Sequence, residues 1–253
     1  MKQLIKETLD ELQEVTKLRD AGIWQGTDKF KDQKMKILYK KVLTFQCPLT
    51  ELSIATESGC DKEWAREHFD ERVGGKPTNP GESYKRWPYA NFKEGDDFLK
   101  HDEKFSHTYQ ERFWPTDGIY PFKGIRYNYG DLNDVVNQLK DNQLTRQAYL
   151  PIFFPEDTGS TEGQRVPCTL GYHFEIIDNK ITVNYFIRSC DAYRHLRNDI
   201  YFTSRLLNHI YLELRTAGIQ IGLGTVTMFI SNLHLFVNDE YPLKKRERGL
   251  QKL

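Results

Sequence analysis

The residues able to do covalent chemistry gather in one part of the chain. Pro167-Cys168-Thr169 stands at the start of an apolar run, and Arg188-Ser189-Cys190-Asp191 follows about twenty residues later. Asn198-Asp199 heads a long amphipathic segment, and Asn232-Leu233-His234-Leu235-Phe236 closes the last apolar run. A thiol beside a cation is a candidate nucleophile, because the thiolate is the reactive species and a positive neighbour favours it. Cys168 with Arg188 fits that pattern. Each residue also has an ordinary reading: Cys168 a buried strand thiol, Arg188 a solvated strand end, Asp191 a turn residue, Asp199 a helix N-cap and His234 a core histidine. Cys47, Cys60, Cys168 and Cys190 show no CxxC spacing, so neither a metal site nor a redox pair is expected.

These residues need a scaffold, and the periodicity supplies one. Leu4, Ile5, Leu9, Leu12 and Val15 share one face of an N-terminal helix. The stretch ILYKKVLTFQCPL alternates less cleanly and reads as a strand or a short helix. Residues 57–125 carry GGKPTNPGES, FKEGDD and several further prolines among many aromatics, which reads as a loop-rich insertion too aromatic to be a linker. A helix is expected over 131–143 with Leu132, Val135, Val136 and Leu139 inward. Strands follow at AYLPIFF, CTLGYHFEII and ITVNYFIRS, the last two joined as a hairpin through Asp178-Asn179-Lys180. A helix from about Ile200 to Ala217 ends at Gly218, TVTMFISNLHLF makes a last strand, and a basic, frayed tail is expected beyond it. The expectation is one α+β domain over residues 1–253, a sheet backed by helices.

Composition excludes several classes. With 38% hydrophobic and 13% aromatic residues the chain supports a core and is not a disordered one. Lys plus Arg and Asp plus Glu both number 36, so there is no basic surplus to suggest nucleic acid. No run approaches the roughly 20 apolar residues that cross a bilayer, and the first residues lack a signal-peptide apolar block. A cytoplasmic location with reduced thiols is the default, the host cytoplasm if the source is viral.

The ordered set of motifs between residues 127 and 236 resembles the thymidylate synthase family, which includes pyrimidine nucleotide methylases and hydroxymethylases. Upstream, Asn128-Tyr129-Gly130 and Thr145-Arg146 match the family's tyrosine and its phosphate-binding arginine region. The resemblance covers the C-terminal half well and the first 125 residues poorly. It implies that Cys168 is the nucleophile, that Arg188 touches both the nucleophile and the substrate phosphate, and that Ser189 is a further phosphate ligand. By the same resemblance Asp191 contacts the pterin of a folate, 5,10-methylenetetrahydrofolate serving as cosubstrate, and His234 serves the sugar hydroxyl. Tyr129 is carried over as catalytic, and Trp114 as a cofactor contact from its spacing fifteen residues before Tyr129. The proton-relaying glutamate aligns with Glu67 first and Glu63 second. The family forms homodimers in which an arginine reaches the partner's site, and Arg146 is given that role. The partners implied are a pyrimidine nucleoside monophosphate, a folate and a second copy, with no membrane and no nucleic acid.

Two positions depart from synthases within this resemblance. Synthases have Asn where this chain has Asp199, and usually His where it has Thr169. Cytosine presents N4–H donors and an N3 acceptor, so a carboxyl that accepts from N4–H and shares a proton with N3 suits it better than uracil. The Cys-Thr pair, Asn-Tyr-Gly and Arg-Asn-Asp also look like viral deoxycytidylate hydroxymethylases. Only nineteen residues follow His234, and they are basic and polar. A short tail of that kind points to water rather than hydride as the last reactant. Gln147 stands where a second phosphate arginine is expected, with Arg165 or Arg194 as candidate replacements, and Phe236 stands where the sugar histidine's partner tyrosine is expected. The alternatives are C5 methylation of dCMP or dUMP, CMP as substrate, and a catalytically idle nucleotide- or RNA-binding relative.

Overall fold

The largest element pair is a long antiparallel ribbon, β2 (Lys34–Gln46) against β7 (Gly222–Phe236), which centres a seven-stranded sheet. The computed structural model describes residues 1–21, 32–89, 104–105, 107–115, 130–158 and 166–250. The strand order is β1 (Arg19–Asp20), β2, β7, β5 (Lys180–Ile187), β4 (Thr169–Ile177), β3 (Tyr149–Pro151), with the two-residue β6 (Cys190–Asp191) also on β7. The ILYKKVLTFQCPL stretch is therefore strand, and AYLPIFF contributes only three strand residues. The expected hairpin is present. Asp178 and Asn179 sit at φ +49° and +58°, the paired left-handed conformation that matches the twist of a two-residue turn.

One face of the sheet is covered by helices. α1 (Lys2–Glu14) buries Ile5, Leu9 and Leu12, and α5 (Leu132–Asp141) buries all four residues expected of it. β5 and β7 run parallel, so the chain crosses between them through the 21-residue α7 (Leu196–Thr216). Gly218 closes that helix region at φ +85°. Inward residues of the strands, among them Tyr172, Phe174, Tyr185 and Met228, meet α7 in one contiguous core. This is the expected α+β arrangement.

Three expectations are corrected. Residues 57–125 are more helical than loop-rich where they are described: α2 (Glu51–Ser58) ends there, and α3 (Lys62–Val73), a 3-10 turn at Glu82–Arg86 and α4 (Tyr109–Phe113) follow. α3 contributes Ala65 and Phe69 to the core against α7. The tail is not frayed over the described residues but forms α8 (Glu240–Leu250), anchored by buried Leu243. It is tied down by Arg197–Glu247 and Arg246–Asp61. α7 starts four residues earlier than expected, at Leu196, because Asp191 closes the preceding turn by accepting from the Tyr193 and Arg194 amides. Asp199 therefore lies inside the first turns and is not the N-cap.

β4 has an irregularity at its start. Its register shifts between Thr169 and Gly171, and the ring of Tyr149 from β3 lies across Gly171. A Cβ at 171 would come within 2.3 Å of the Tyr149 hydroxyl and 2.7 Å of the Leu150 carbonyl.

Candidate active site

Sheet topology brings the candidate residues to one end. Because β4 and β5 are antiparallel, the start of β4 lies beside the end of β5, with Thr169 opposite Ile187. Because β5, β6 and β7 are parallel, the end of β7 arrives at the same place, with Asp191 opposite His234. Cys168, Arg188, Ser189, Asp191, Asp199 and His234 thus share one rim, the place where a crossover sheet leaves a crevice.

Cys168 is partly exposed. The other three thiols are not available in the same way: burial pushes Cys47 up to about 12, Cys60 up to about 11 and Cys190 well above its ordinary value. The Arg188 amide donates to the Cys168 carbonyl (2.9 Å), and its guanidinium donates to the carbonyls of Pro167 (2.8 Å) and Val166 (3.0 Å). The cation is thereby held on the backbone that carries the thiol. After Cys168 the fully buried Thr169 joins two phenols through its hydroxyl, Tyr109 at 2.9 Å and Tyr185 at 2.7 Å.

Asp199 lies on the inner side of α7. Cys190 Sγ donates to its Oδ2 at 3.6 Å. Burial pushes the carboxyl up to about 7, although the Arg72 charge and the Cys190 hydrogen bond both work to hold it down. Cys168 and Asp199 both act electrostatically on Tyr109, whose phenol is pushed up chiefly by burial. A carboxyl that exchanges its proton near neutrality is equipped for acid–base work.

The remaining expected residues divide. His234 is 2% exposed, with its ring between the Ser189 hydroxyl (3.4 Å from Nδ1) and the edge of Phe236. Burial lowers its proton affinity, against the pull of Asp191. Asp191 accepts from Arg194 (2.8 Å), which also binds Asp239. Burial works to raise the Asp191 carboxyl, but His234, Arg194 and His195 outweigh it and hold it below the usual carboxylate range. Arg194 is thus committed to a carboxylate pair, which speaks against its replacing the phosphate arginine at Gln147. Arg146 is exposed before β3, and its carbonyl accepts from His173 (3.1 Å). Arg165 and Tyr129 lie outside the described residues.

Three placements differ from what the resemblance implies. Trp114 is 8% exposed and donates to the Arg72 carbonyl (2.7 Å), a packed core position rather than an open stacking surface. Glu67 pairs with Arg86 at 2.6 Å on the outside of α3, and Glu63 is exposed on the first turn. Glu71, half-buried on the same helix, accepts instead from the Ser83 amide (2.9 Å), the Ser83 hydroxyl (2.6 Å) and Gln110 (3.0 Å). The sequence reading also missed Arg72 and Tyr109. A signal for Arg72 existed, since Ala65, His68, Phe69 and Arg72 fall at helical spacing on one face.

The thymidylate synthase family model matches residues 79–248, and the chain belongs to that family. Among curated proteins it is similar to a putative thymidylate synthase of Methanococcoides burtonii, 25% identical over 149 residues. That alignment takes in 59% of this chain and 61% of the relative, so the chain spans only about three fifths of that protein's length. Among the described residues no helix is long and apolar enough to cross a membrane, and no three His, Cys, Asp or Glu side chains gather as a metal site.

Proposed function

We propose that this protein transfers a one-carbon unit from 5,10-methylenetetrahydrofolate to C5 of a cytidine monophosphate, dCMP first, and finishes with water to give the 5-hydroxymethyl nucleotide. The observation that carries this reading is Asp199, a carboxyl pushed up to about 7 at the position where synthases use an amide. Cytosine C5 is a weak nucleophile. Addition of the Cys168 thiolate at C6 gives C5 carbanion character, and negative charge develops toward N3. Asp199 accepts from N4–H and gives its proton to N3 as that charge appears. A carboxyl with a proton affinity matched to neutral pH is suited to the task. The folate supplies the carbon at the formaldehyde oxidation level. C5 bonds to that carbon, the C5 proton and tetrahydrofolate leave, water adds at the carbon, and sulfur departs from C6. The sum is dCMP, methylenetetrahydrofolate and water giving hydroxymethyl-dCMP and tetrahydrofolate.

Arg188, with donors of its fork beyond the two that hold the Cys168 backbone, and Ser189 are assigned to the phosphate. His234 is assigned to the sugar. An open cavity of about 580 Å³ lined by Asp61, Tyr89, Tyr193, Tyr241, Lys245 and Arg246 is assigned to the folate: aromatic walls suit a flat ring system and exposed Lys245 a glutamyl carboxylate. Water is favoured over hydride because the described stretch after β7 is committed to α8 by Arg197–Glu247 and Arg246–Asp61 and so does not act as a lid on Cys168.

A homodimer is proposed through the sheet face left uncovered among the described residues, where Phe186 and Phe229 stack at 5.1 Å beside exposed Val42. The test is product mass. Incubation with dCMP, CMP or dUMP and methylenetetrahydrofolate is expected to add a CH2O unit to dCMP. A methyl increment, or turnover of dUMP alone, overturns the reading.

A further inference from the structure

Arg72 stands apart from the other buried cations. Its side chain belongs to a residue only 5% exposed, yet among the described residues it forms no ion pair with a carboxylate. Its guanidinium lies over the ring of Tyr109 at 4.1 Å and over that of Phe202 at 4.2 Å. One N–H donates to His68 Nε2 (3.0 Å), and Nε has no hydrogen-bond partner. A guanidinium only donates, so His68 Nε2 must accept. His68 Nδ1–H then donates to Ser83 Oγ (2.9 Å), and Ser83 donates to Glu71 (2.6 Å). Burial, Arg72 and His195 all favour the neutral imidazole that this order requires. The chain from Arg72 to Glu71 therefore fixes the guanidinium from behind, and the two rings grip it from the sides.

The charge of Arg72 acts on Asp199. Phe202 is one turn along α7 from Asp199, and Tyr109 is hydrogen-bonded to Thr169, the neighbour of Cys168. The groups acting on Asp199 or acted on by it are Arg72 of α3, Tyr109 of α4, Tyr172 of β4, Tyr185 of β5 and Cys190 with Asp191 of β6. Arg72 alone among them is a permanent cation. It also lies outside residues 79–248, so the family match assigns it nothing.

We propose that Arg72 is a positioning and specificity residue of the base site: held between Tyr109 and Phe202, it biases the Asp199 carboxyl to give its proton to the ring nitrogen of cytosine. Stabilising the carboxylate left behind makes Asp199 a better acid at the moment the thiolate adds to C6. Uracil already carries a proton on N3 and gains nothing from the transfer. The arrangement thus favours cytidylate through the reaction as well as through binding. This inference rests on the cytidylate reading given above.

Binding without folate tests it. Protonated Asp199 complements the N3 acceptor of dCMP, so affinity measured by calorimetry from pH 5.5 to 9 is expected to fall once Asp199 ionises, with a break near neutrality. Arg72→Gln should move that break to higher pH by about one unit or more, the size of effect an opposite charge produces. Arg72→Lys keeps the charge and should leave the break within a few tenths of a unit. Phe202→Leu, which removes one side of the grip while keeping Arg72, should move the break part of the way and covers the case of an unfolded Arg72→Gln. In turnover assays Arg72→Gln should lose at least tenfold in kcat for dCMP with a smaller change in KM. A folded Arg72→Gln or Phe202→Leu whose break coincides with the native one overturns the inference. So does an Arg72→Lys break displaced as far as that of Arg72→Gln. Failure of the cytidylate reading looks different: the native protein would then show no dCMP affinity, or a break unaltered by Asp199→Asn.

Discussion

Arg72 and Arg197 are equally buried, each 5% exposed, but the protein treats them in opposite ways. Arg197 donates to Glu247 from Nε and from a terminal nitrogen, at 3.2 and 2.5 Å, and to the Ser58 carbonyl at 2.6 Å. Beside it Arg246 holds Asp61 and the Gly59 carbonyl. Around α8, then, buried charge is matched by charge, and the result is a docked helix. Around Asp199 the buried cation has a neutral imidazole and two ring faces, while the nearby carboxyl resists ionising. Matched pairs make scaffold. Mismatched groups keep free energy available for something that arrives later, because a ligand can supply the missing partner.

The contrast is broken most sharply at Cys168. Cys168→Ala and Cys168→Ser are expected to lose turnover by at least about a thousandfold while melting temperature and nucleotide binding stay close to native. A serine hydroxyl is scarcely ionised at neutral pH, so it does not substitute. Turnover retained in Cys168→Ala would remove the covalent mechanism. At the scaffold corner the expected effect is on stability. Glu247→Ala strands Arg197 and should cost about 3–5 kcal/mol, read as a melting temperature lower by roughly 10 °C. Any dCMP binding by the remaining folded protein should be unchanged; a loss below about 1 kcal/mol would show that α8 is not held by this pair.

The phosphate assignments predict smaller changes. Arg188→Ala and Arg146→Ala should weaken monophosphate binding by about 1.5–3 kcal/mol and nucleoside binding little. Mixing Arg146→Ala and Cys168→Ala subunits should restore part of the activity if Arg146 serves the partner's site, and mixtures that stay inactive after re-equilibration count against the shared site. The mildest change is Asp199→Asn, which should move the dCMP to dUMP preference tenfold or more toward uridylate, about 1–3 kcal/mol. It also carries a stability signature. The folded protein keeps the Asp199 proton up to about 7, well above the ordinary carboxylate range, so it binds more protons than the unfolded chain in that window. Stability therefore falls as pH rises through the window, and Asp199→Asn should melt a few degrees higher than native at pH 8 but not at pH 4.

Elements governed by local pattern were legible in the sequence. α1 and α5 repeat their apolar residues at helical spacing, and the Asp178-Asn179 turn carries its own conformational preference. α8 was not legible, because its eleven residues offer one buried apolar anchor and its hold comes from Arg197, fifty residues earlier in the chain. The start of α7 was misread for a related reason: Asp199 has the chemistry of a cap, but the turn that leads into the helix is closed earlier by Asp191, and the helix begins at Leu196. Within the site, Cys168, Arg188 and Asp199 stood out by motif. Arg72 did not, because an arginine amid the charges of DKEWAREHFDER reads as solvated; its spacing with Ala65 and Phe69 hints at an inward face, and the aromatic rings that grip it, drawn from α4 and α7, show what it meets there. The same stretch drew attention to Glu67, whose carboxylate is spent on Arg86 outside.

Gly171 has no functional group, yet it makes the placement of Cys168 vulnerable to mutation. Three residues from Cys168, it lets Tyr149 lie flat across the edge of β4 while the strand changes register. Adding one methyl group there would collide with the Tyr149 ring and the Leu150 backbone. β3 would have to retreat, and the part of β4 that aims the sulfur would move with it. Alanine at 171 is among the smallest changes a single codon step can make, and in most strands it would pass unnoticed. Here evolutionary drift is blocked by the lack of room for a carbon atom, so the freedom of the surrounding sequence to vary is set by a position that takes no part in the chemistry.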